Sequence, residues 1–278
     1  MNELSINTPA KINIGLNVIR KRTDGYHDIQ TFFYPINLFD TLTISEASQF
    51  EFICNGQNLN YEDNLVVKAK SLLEKELSLN IKLKIILEKR LPVGAGLGGG
   101  SSDAAAALKG IIKFLDISID DLTLKKIATT CGADVPYFLN PVPCYAEGIG
   151  DIITTLDCRI HYPILVVYPG FQISTKSAYE NVIPLEPEYS LKKLIEDCEI
   201  DFLFMENKIK NDLEKFAFKQ YPILAEIKKE FYKLGAMFAL MSGSGSSVFG
   251  IFKNLYKAEE ALEHFNKNYF TFLHNETT

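Results

Sequence analysis

The chain has 278 residues, 47% of them hydrophobic and 23% charged, with 29 lysines and arginines against 35 aspartates and glutamates for a net charge of −6. This is the balance of an ordinary globular protein, long enough for one large or two modest cores, and it argues against a nucleic-acid or membrane surface. No apolar run approaches the ~18 residues of a membrane span, and no basic segment leads into an apolar stretch, so neither a span nor a signal peptide is expected. Five scattered cysteines (Cys54, Cys131, Cys144, Cys158 and Cys198) without a Cys-x-x-Cys read as reduced, mostly structural thiols of a cytoplasmic protein. The four histidines lack metal-ligand spacing.

In chain order, residues 4–20 alternate as a strand, with Ile12, Ile14, Leu16 and Val18 on one face and Lys11, Asn13, Gly15 and Asn17 on the other. Asp24-Gly25 marks a turn, and 29–38 reads as a further strand. A helix over 65–77 precedes a strand over 82–90. In that strand Leu83, Ile85 and Leu87 share a face, the pattern of a half-exposed strand in an antiparallel or mixed sheet. A glycine-rich loop leads into a helix to about 115, and a second helix covers 121–131 before a short helical turn after Pro136. From about 157 the pattern restarts: a strand over 162–168, a proline-marked loop over 183–189, and an amphipathic helix over 222–234 with Gly235 at its C′ position. Strands over 236–242 and 247–252 flank Gly243-Ser244-Gly245-Ser246, with a helix near 256–266 and a last strand near 269–273. The pattern is α+β, read as two domains, 1–157 and 158–278, with the last strand a candidate to pack on the first.

The loop Pro92-Val93-Gly94-Ala95-Gly96-Leu97-Gly98-Gly99-Gly100-Ser101-Ser102 carries the clearest chemistry. Glycines leave N–H groups unshielded, and a helix that starts directly afterwards adds further N–H groups and a positive dipole end. Together these make a phosphate cradle. It is not a P-loop, because Gly100-Ser101 stands where Lys-Ser/Thr is required. It is a poor dinucleotide fingerprint, because the strand before it alternates instead of running continuously apolar.

With Pro9-Ala10-Lys11-Ile12-Asn13 ahead of it and Met241-Ser242-Gly243-Ser244-Gly245-Ser246-Ser247 behind it, the loop resembles the second of three motifs of the small-molecule kinase superfamily of galactokinase, homoserine kinase and mevalonate kinase. Pro-Ala-Lys-Ile-Asn and Arg22-Thr23-Asp24-Gly25-Tyr26-His27 resemble one branch, the kinases of 4-diphosphocytidyl-2-C-methyl-D-erythritol. The resemblance spans nearly the whole chain. It implies an N-terminal domain like ribosomal protein S5 domain 2, a ferredoxin-like C-terminal domain, and ATP-dependent phosphorylation of the 2-hydroxyl of that cytidylated substrate in non-mevalonate isoprenoid biosynthesis.

Residue by residue, the resemblance implies Lys11 and Asp134 as catalytic groups, Asp134 taking the hydroxyl proton and Lys11 stabilising charge on the attacking oxygen. It implies Pro92, Val93, Gly94, Ala95, Gly96, Leu97, Gly98, Gly99, Gly100, Ser101 and Ser102 around the phosphates, with Asn64 near the adenine. Ser101 or Ser102 would hold Mg²⁺. Asn13, Tyr26 and His27 would bind the acceptor, the tyrosine stacking on the pyrimidine, with Gly243, Ser244 and Gly245 completing the cleft. Expected partners are ATP and the small-molecule acceptor, with no nucleic acid or membrane, for a monomer or a homodimer. Plainer readings stand beside these: a solvated sheet face for Lys11 and Asn13, a hairpin with a buried Tyr26 and a surface His27, a plain turn at Gly243, and helix caps for Asn64 and Asp134. Another kinase of the superfamily, acting on homoserine or mevalonate, is the runner-up; an ATP-binding sensor without chemistry is a third reading.

Overall fold

The computed structural model describes residues 2–56, 64–196, 198 and 200–276. In chain order come β1 (Glu3–Lys21), β2 (His27–Glu46), β3 (Glu51–Asn55), α1 (Leu65–Leu77), β4 (Leu83–Glu88), α2 (Gly99–Phe114), α3 (Asp121–Cys131) and α4 (Val135–Phe138). There follow β5 (Cys144–Glu147), β6 (Ile152–Thr155), β7 (Ile164–Tyr168), α5 (Thr175–Glu180), α6 (Leu191–Ile195), α7 (Phe202–Met205) and α8 (Glu214–Gln220). The chain closes with α9 (Pro222–Lys233), β8 (Ala236–Met241), β9 (Val248–Phe252), α10 (Leu255–Phe265) and β10 (Phe270–His274). Two compact units result, and neither follows a single cut of the chain at 157. One holds Met1–Ala10, Asn37–Leu91 and Gly98–Pro141; the other holds Lys11–Ile36, Pro92–Leu97 and Val142–Thr278.

In the first unit the later part of β2 pairs antiparallel with β4, placing Leu42 opposite Leu87 and Ile44 opposite Ile85, while β3 pairs parallel with β4. This is the mixed sheet that the alternation of β4 predicts. Leu83, Ile85 and Leu87 are buried together, each worth roughly 1.5–3 kcal/mol of burial. Helix α1 starts where Asn64 accepts from the Val66 N–H, and α3 starts where Asp120 accepts from the Thr123 N–H. Helix α2 packs closely because its second and third turns are small. Ala104, Ala105, Ala106 and Ala107 are buried, and a Cβ on Gly110 would sit 2.6 Å from Ile44 Cδ1 and 2.8 Å from Ile6 Cδ1.

In the second unit the early part of β2 pairs antiparallel with β5, and β5 with β6. The rest is a β-α-β-β-α-β arrangement of β7, α9, β8, β9, α10 and β10, in which the sheet order is β10-β7-β9-β8 with antiparallel neighbours. The last strand therefore pairs with β7. Phe231, Phe252 and Phe265, with Leu165 and Val167, fill the core under this sheet, and Leu16 and Val18 of β1 join the same cluster. The sequence pattern missed β3, β5, β6 and α5–α8, all of seven residues or fewer. Such pieces carry too few periods to signal themselves and depend on their neighbours.

One expectation is corrected. Cys158 and Cys198, with Cα atoms 5.2 Å apart, form a disulfide; Cys54, Cys131 and Cys144 are free thiols. The pair joins positions 40 residues apart, and only tertiary structure brings them together. Among the described residues no helix is long and apolar enough to cross a membrane.

Candidate active site

In the second unit the three motifs meet at Gly96. Its φ is +78°, and a Cβ there would lie 2.1 Å from the Ser242 carbonyl oxygen and 3.0 Å from that of Gly245, so only glycine fits. The loop is held by backbone bonds on both sides: the Lys11 N–H donates to the Leu97 carbonyl at 2.9 Å, and the Ser247 N–H donates to the Ala95 carbonyl at 3.0 Å. Ser242 Oγ donates to the Gly96 carbonyl at 2.8 Å and accepts from the Asn13 N–H at 3.2 Å. The connection between β8 and β9 is thus a turn and a clamp on the glycine loop together.

Lys11 and Asn13 are buried, 3% and 2% exposed, which rules out the solvated-face reading. The Lys11 ammonium donates to Asn13 Oδ1 at 2.5 Å and to the Gly96 carbonyl at 3.5 Å, and lies 4.9 Å from the centre of the Phe33 ring. Asn13 Nδ2 donates to Thr31 Oγ1 at 2.8 Å, and Thr31 donates in turn to the Gly15 carbonyl at 2.6 Å. Asn13, which holds the ammonium, is therefore itself oriented.

The hairpin reading of Tyr26 and His27 is reversed. Tyr26 is 56% exposed at the turn, and His27 is buried against the ring of Tyr179, with centroids 5.4 Å apart. Burial, and secondarily the charge of Lys21, hold the His27 imidazole below its ordinary pKa of 6.5. Tyr179 stands in α5, whose first residue Thr175 has its Oγ1 3.0 Å from Ser244 Oγ. Sequence pattern left Tyr179 unassigned. Its helix is one turn and a half long, and nothing in 175–180 announces an aromatic partner for His27.

The first unit holds the remaining predicted residues. Helix α2 starts at Gly98, which is left-handed at φ +74° and adds no side-chain cap, and the first intrahelical bond runs from the Ser102 N–H to the Gly98 carbonyl at 2.9 Å. The N–H groups of Gly99, Gly100 and Ser101 precede that bond, with no acidic residue in the first turn. An anion suits this end. Among the described residues a Cβ on Gly100 would meet only Leu65 Cδ1, at 3.6 Å. Ser102 is buried and Ser101 half-buried. The Ser101 Oγ lies 4.0 Å from where a Cβ on Gly132 would be, two residues ahead of Asp134.

Asp134 stands before α4 in helical conformation and makes no side-chain capping bond. The cap reading of this residue fails for that reason: the aspartate continues the helical turn instead of entering it from extended backbone. Asn64 does cap α1. Lys11 and Asp134 belong to different units.

Behind the start of α2 lies a buried ion triad that sequence reading missed. Lys89 Nζ pairs with Asp40 and, at 2.9 Å, with Asp103, which also accepts from Thr8 Oγ1 at 2.7 Å. Asp40 Oδ1 accepts from the N–H groups of Arg90 and Leu91, at 2.5 and 2.8 Å. Burial pushes the Asp103 carboxyl up to about 6 against the pull of the Lys89 ammonium. Burial pulls Lys89 down, but the two carboxylates outweigh it and leave its pKa raised. Among the described residues no cluster of His, Cys, Asp and Glu is arranged to hold a metal by itself.

A glycine loop running into an uncapped helix, clamped by a lysine-bearing strand and a Gly-Ser turn, defines a small-molecule kinase of the GHMP class. Residues 64–141 match the GHMP kinases N terminal domain and residues 194–271 the GHMP kinases C terminal domain. A 4-diphosphocytidyl-2-C-methyl-D-erythritol kinase of Bacteroides fragilis is 44% identical over 250 residues, covering 87% of this chain and 90% of the relative. One from Chlorobium phaeobacteroides is 39% identical, covering 97% and 96%. A crystal structure of a 4-(cytidine 5′-diphospho)-2C-methyl-D-erythritol kinase is 34% identical and superposes with a TM-score of 0.84 over 98% of both chains. Homoserine kinase from Cytophaga hutchinsonii shares the fold, at a TM-score of 0.74 and 16% identity over 99% of this chain and 94% of that one. The chain is a kinase and belongs to the 4-diphosphocytidyl-2-C-methyl-D-erythritol kinase family.

Proposed function

We propose that this kinase transfers the γ-phosphoryl group of ATP to the 2-hydroxyl of 4-diphosphocytidyl-2-C-methyl-D-erythritol, in the non-mevalonate route to isoprenoid precursors. The observation that carries the reading is the junction at Gly96, with the His27–Tyr179 pair in the same unit. Together with the family's name they favour a phosphate donor and an acceptor bearing an aromatic base. The β-α-β-β-α-β order of the second unit supports a ferredoxin-like C-terminal domain, and the mixed sheet with helices supports an N-terminal domain like ribosomal protein S5 domain 2.

The loop 92–97 and the first N–H groups of α2 would hold the donor's phosphates, and Asn64, capping α1, would stand near the adenine. Of the two serines, Ser101 has the more accessible hydroxyl and would ligate Mg²⁺, the remaining ligands coming from phosphate oxygens and water. That ion would neutralise charge on the transferred group. Asp134 takes the proton of the acceptor hydroxyl as its oxygen bonds to the γ-phosphorus; the bond to the β–γ bridging oxygen breaks, and ADP leaves. Carboxylates are weak bases, so the proton moves late. Lys11 stabilises charge on the attacking oxygen, with Asn13 fixing the ammonium. His27 and Tyr179 bind the cytosine, Tyr26 closes over it from the turn, and Gly243, Ser244 and Gly245 flank the acceptor. The enzyme works in the cytoplasm, a reducing compartment in which the Cys158–Cys198 disulfide would open to two thiols.

The test is a coupled ADP-release assay with Mg-ATP, offering the cytidylated substrate beside homoserine and mevalonate. Turnover is expected with the first alone. Asp134→Asn should lower kcat by about 10²–10⁴ while ATP binding persists. Turnover with homoserine or mevalonate instead would overturn the assignment of His27 and Tyr179, and ATP binding without turnover of any acceptor would favour the sensor reading.

A further inference from the structure

The glycine-serine turn of the third motif is not held by its own strands alone. A separate segment, Lys210–Glu214, reaches it from the far side of β1. The Lys210 carbonyl accepts from the Leu16 N–H and the Asp212 N–H donates to the Leu16 carbonyl, both at 2.9 Å. Asp212 Oδ2 accepts from the Val18 N–H at 2.7 Å. On its other side the segment grips the end of β8: Glu214 Oε1 accepts from the Met241 N–H at 2.9 Å, and Lys228 braces that carboxylate at 2.7 Å.

Asn211 stands at the centre. It is 3% exposed, and its amide has both donors and its acceptor engaged. Nδ2 donates to the Met241 and Gly243 carbonyls, each at 2.8 Å, and Oδ1 accepts from the Leu213 N–H at 3.0 Å. The Met241 bond duplicates a restraint that Glu214 and the strand ladder already provide. The Gly243 bond duplicates nothing of that kind. Gly243 has φ +56°, and a Cβ on it would lie 3.2 Å from Asn13 Oδ1 and 3.3 Å from the Gly96 carbonyl oxygen. Its backbone therefore fills the space beside the side chain that holds Lys11.

We propose that Asn211 is a positioning residue for phosphoryl transfer: by bonding the Gly243 carbonyl it sets the Ser242–Gly243 turn against Asn13 and Gly96, and so fixes where Lys11 presents its ammonium. Asn211 touches neither substrate. Its loss lets the turn move away from Asn13, while the glycine loop keeps the two backbone bonds it accepts, from the N–H groups of Lys11 and Ser247. The burden falls on the acceptor and on the chemical step, and ATP binding is spared. This rests on the function proposed above for the kinetic readout, but its structural readout does not.

The experiment compares wild type with Asn211→Ala, Asn211→Asp and Asn254→Ala. Asn211→Asp preserves size and the bond to Leu213 but replaces both donors with an acceptor facing two carbonyls. Asn254 caps α10 by accepting from the Lys257 N–H at 3.0 Å, so its alanine variant controls for lost stability alone. With Mg-ATP and the cytidylated substrate, Asn211→Ala should lower kcat/KM for the acceptor about 10- to 100-fold, with a lower kcat and an unchanged KM for ATP. Asn211→Asp should lower it further, and Asn254→Ala should lower only Tm. Hydrogen exchange across Ser242–Ser247 should quicken in Asn211→Ala and stay at the wild-type rate in Asn254→Ala. A lower Tm with unaltered kinetics and unaltered exchange at Ser242–Ser247 overturns the inference and leaves Asn211 a structural residue. If the wild type does not turn the substrate over, the proposed function fails, and the exchange measurement still decides the role of Asn211.

Discussion

Replacing Gly96 with alanine tests whether the junction of the three motifs does what its geometry requires. The added Cβ would sit 2.1 Å from the Ser242 carbonyl oxygen, whereas carbon and oxygen in close contact stand at about 3.3 Å. Loop and turn must therefore separate by roughly 1.2 Å, the difference between those distances. Alanine at a φ of +78° adds about 1–2 kcal/mol of backbone strain, and the forced backbone shift adds about 1–3 kcal/mol. A total loss of about 2–5 kcal/mol is a large share of the stability of a typical domain. The separation also breaks the bonds that the Gly96 carbonyl accepts from Ser242 Oγ and from Lys11. A misplacement of about 1 Å costs on the order of 10²-fold in rate, so kcat/KM should fall about that far and Tm by several degrees. The control is Gly100→Ala. Among the described residues its Cβ meets only Leu65 Cδ1, at 3.6 Å, and alanine in a helix gains about 0.5–1 kcal/mol over glycine. That variant should keep or raise Tm, yet raise the KM for ATP by placing a methyl among the N–H groups proposed to bind phosphate. Thermal unfolding and the coupled ADP assay read both quantities. If Gly96→Ala retained wild-type kcat/KM, the loop would tolerate displacement and the argument from close approach would be refuted.

Lys89→Met should destabilise the protein by roughly 3–5 kcal/mol in urea unfolding, because it strands the Asp40 and Asp103 carboxylates, whose side chains are 0% and 3% exposed. Adding Asp40→Asn and Asp103→Asn to it should recover most of that loss, and a failure to recover would mean that packing, not charge, sets the cost. For His27 the sign follows from its lowered pKa. The fold favours neutral imidazole, so the contribution is complete above 6.5 and is lost as pH falls through the folded-state value. The acceptor KM should accordingly be flat above pH 6.5 and rise on the acid side, and His27→Gln should flatten it throughout. A KM that rises on the alkaline side would contradict a neutral His27 in the base site.

The parts of the fold legible from sequence are those in which one residue type repeats a simple physical demand. The alternation of Leu83, Ile85 and Leu87 announced a strand with one buried face, and the structure puts an antiparallel neighbour on one side of it and a parallel one on the other. The stripe through Leu224, Ile227 and Phe231 announced α9, which these residues anchor in the core. Glycines at 94, 96 and 98 announced a tight loop, and all three are left-handed. Short elements failed because their conformation is set by what they touch. Helix α5 announced nothing, since the contact of Tyr179 with His27 and that of Thr175 with Ser244 join residues far apart in the chain.

The candidate site divides along the same line. Residues whose role depends on backbone, such as Gly96, leave a local signature that a motif can record. Residues whose role depends on a partner far along the chain do not: Lys89 reads as the polar end of a strand until Asp40 and Asp103 are seen around it, and Asn211 reads as a polar residue between Lys210 and Asp212 until the Met241 and Gly243 carbonyls are seen above it. Tyr26 and His27 show how such a reading inverts. Size and polarity alone would bury the tyrosine and expose the histidine, but the hairpin turn fixes the Tyr26 backbone, whose N–H donates to Asp24 Oδ1 and whose carbonyl accepts from the Arg22 N–H, and leaves its ring outward. His27 is the first residue of β2 and must follow the strand inward. The order in which these two rings can meet a base is thus decided by strand register, so lengthening the turn by one residue should move both rings and abolish acceptor binding, while the Gly96 junction and ATP binding remain.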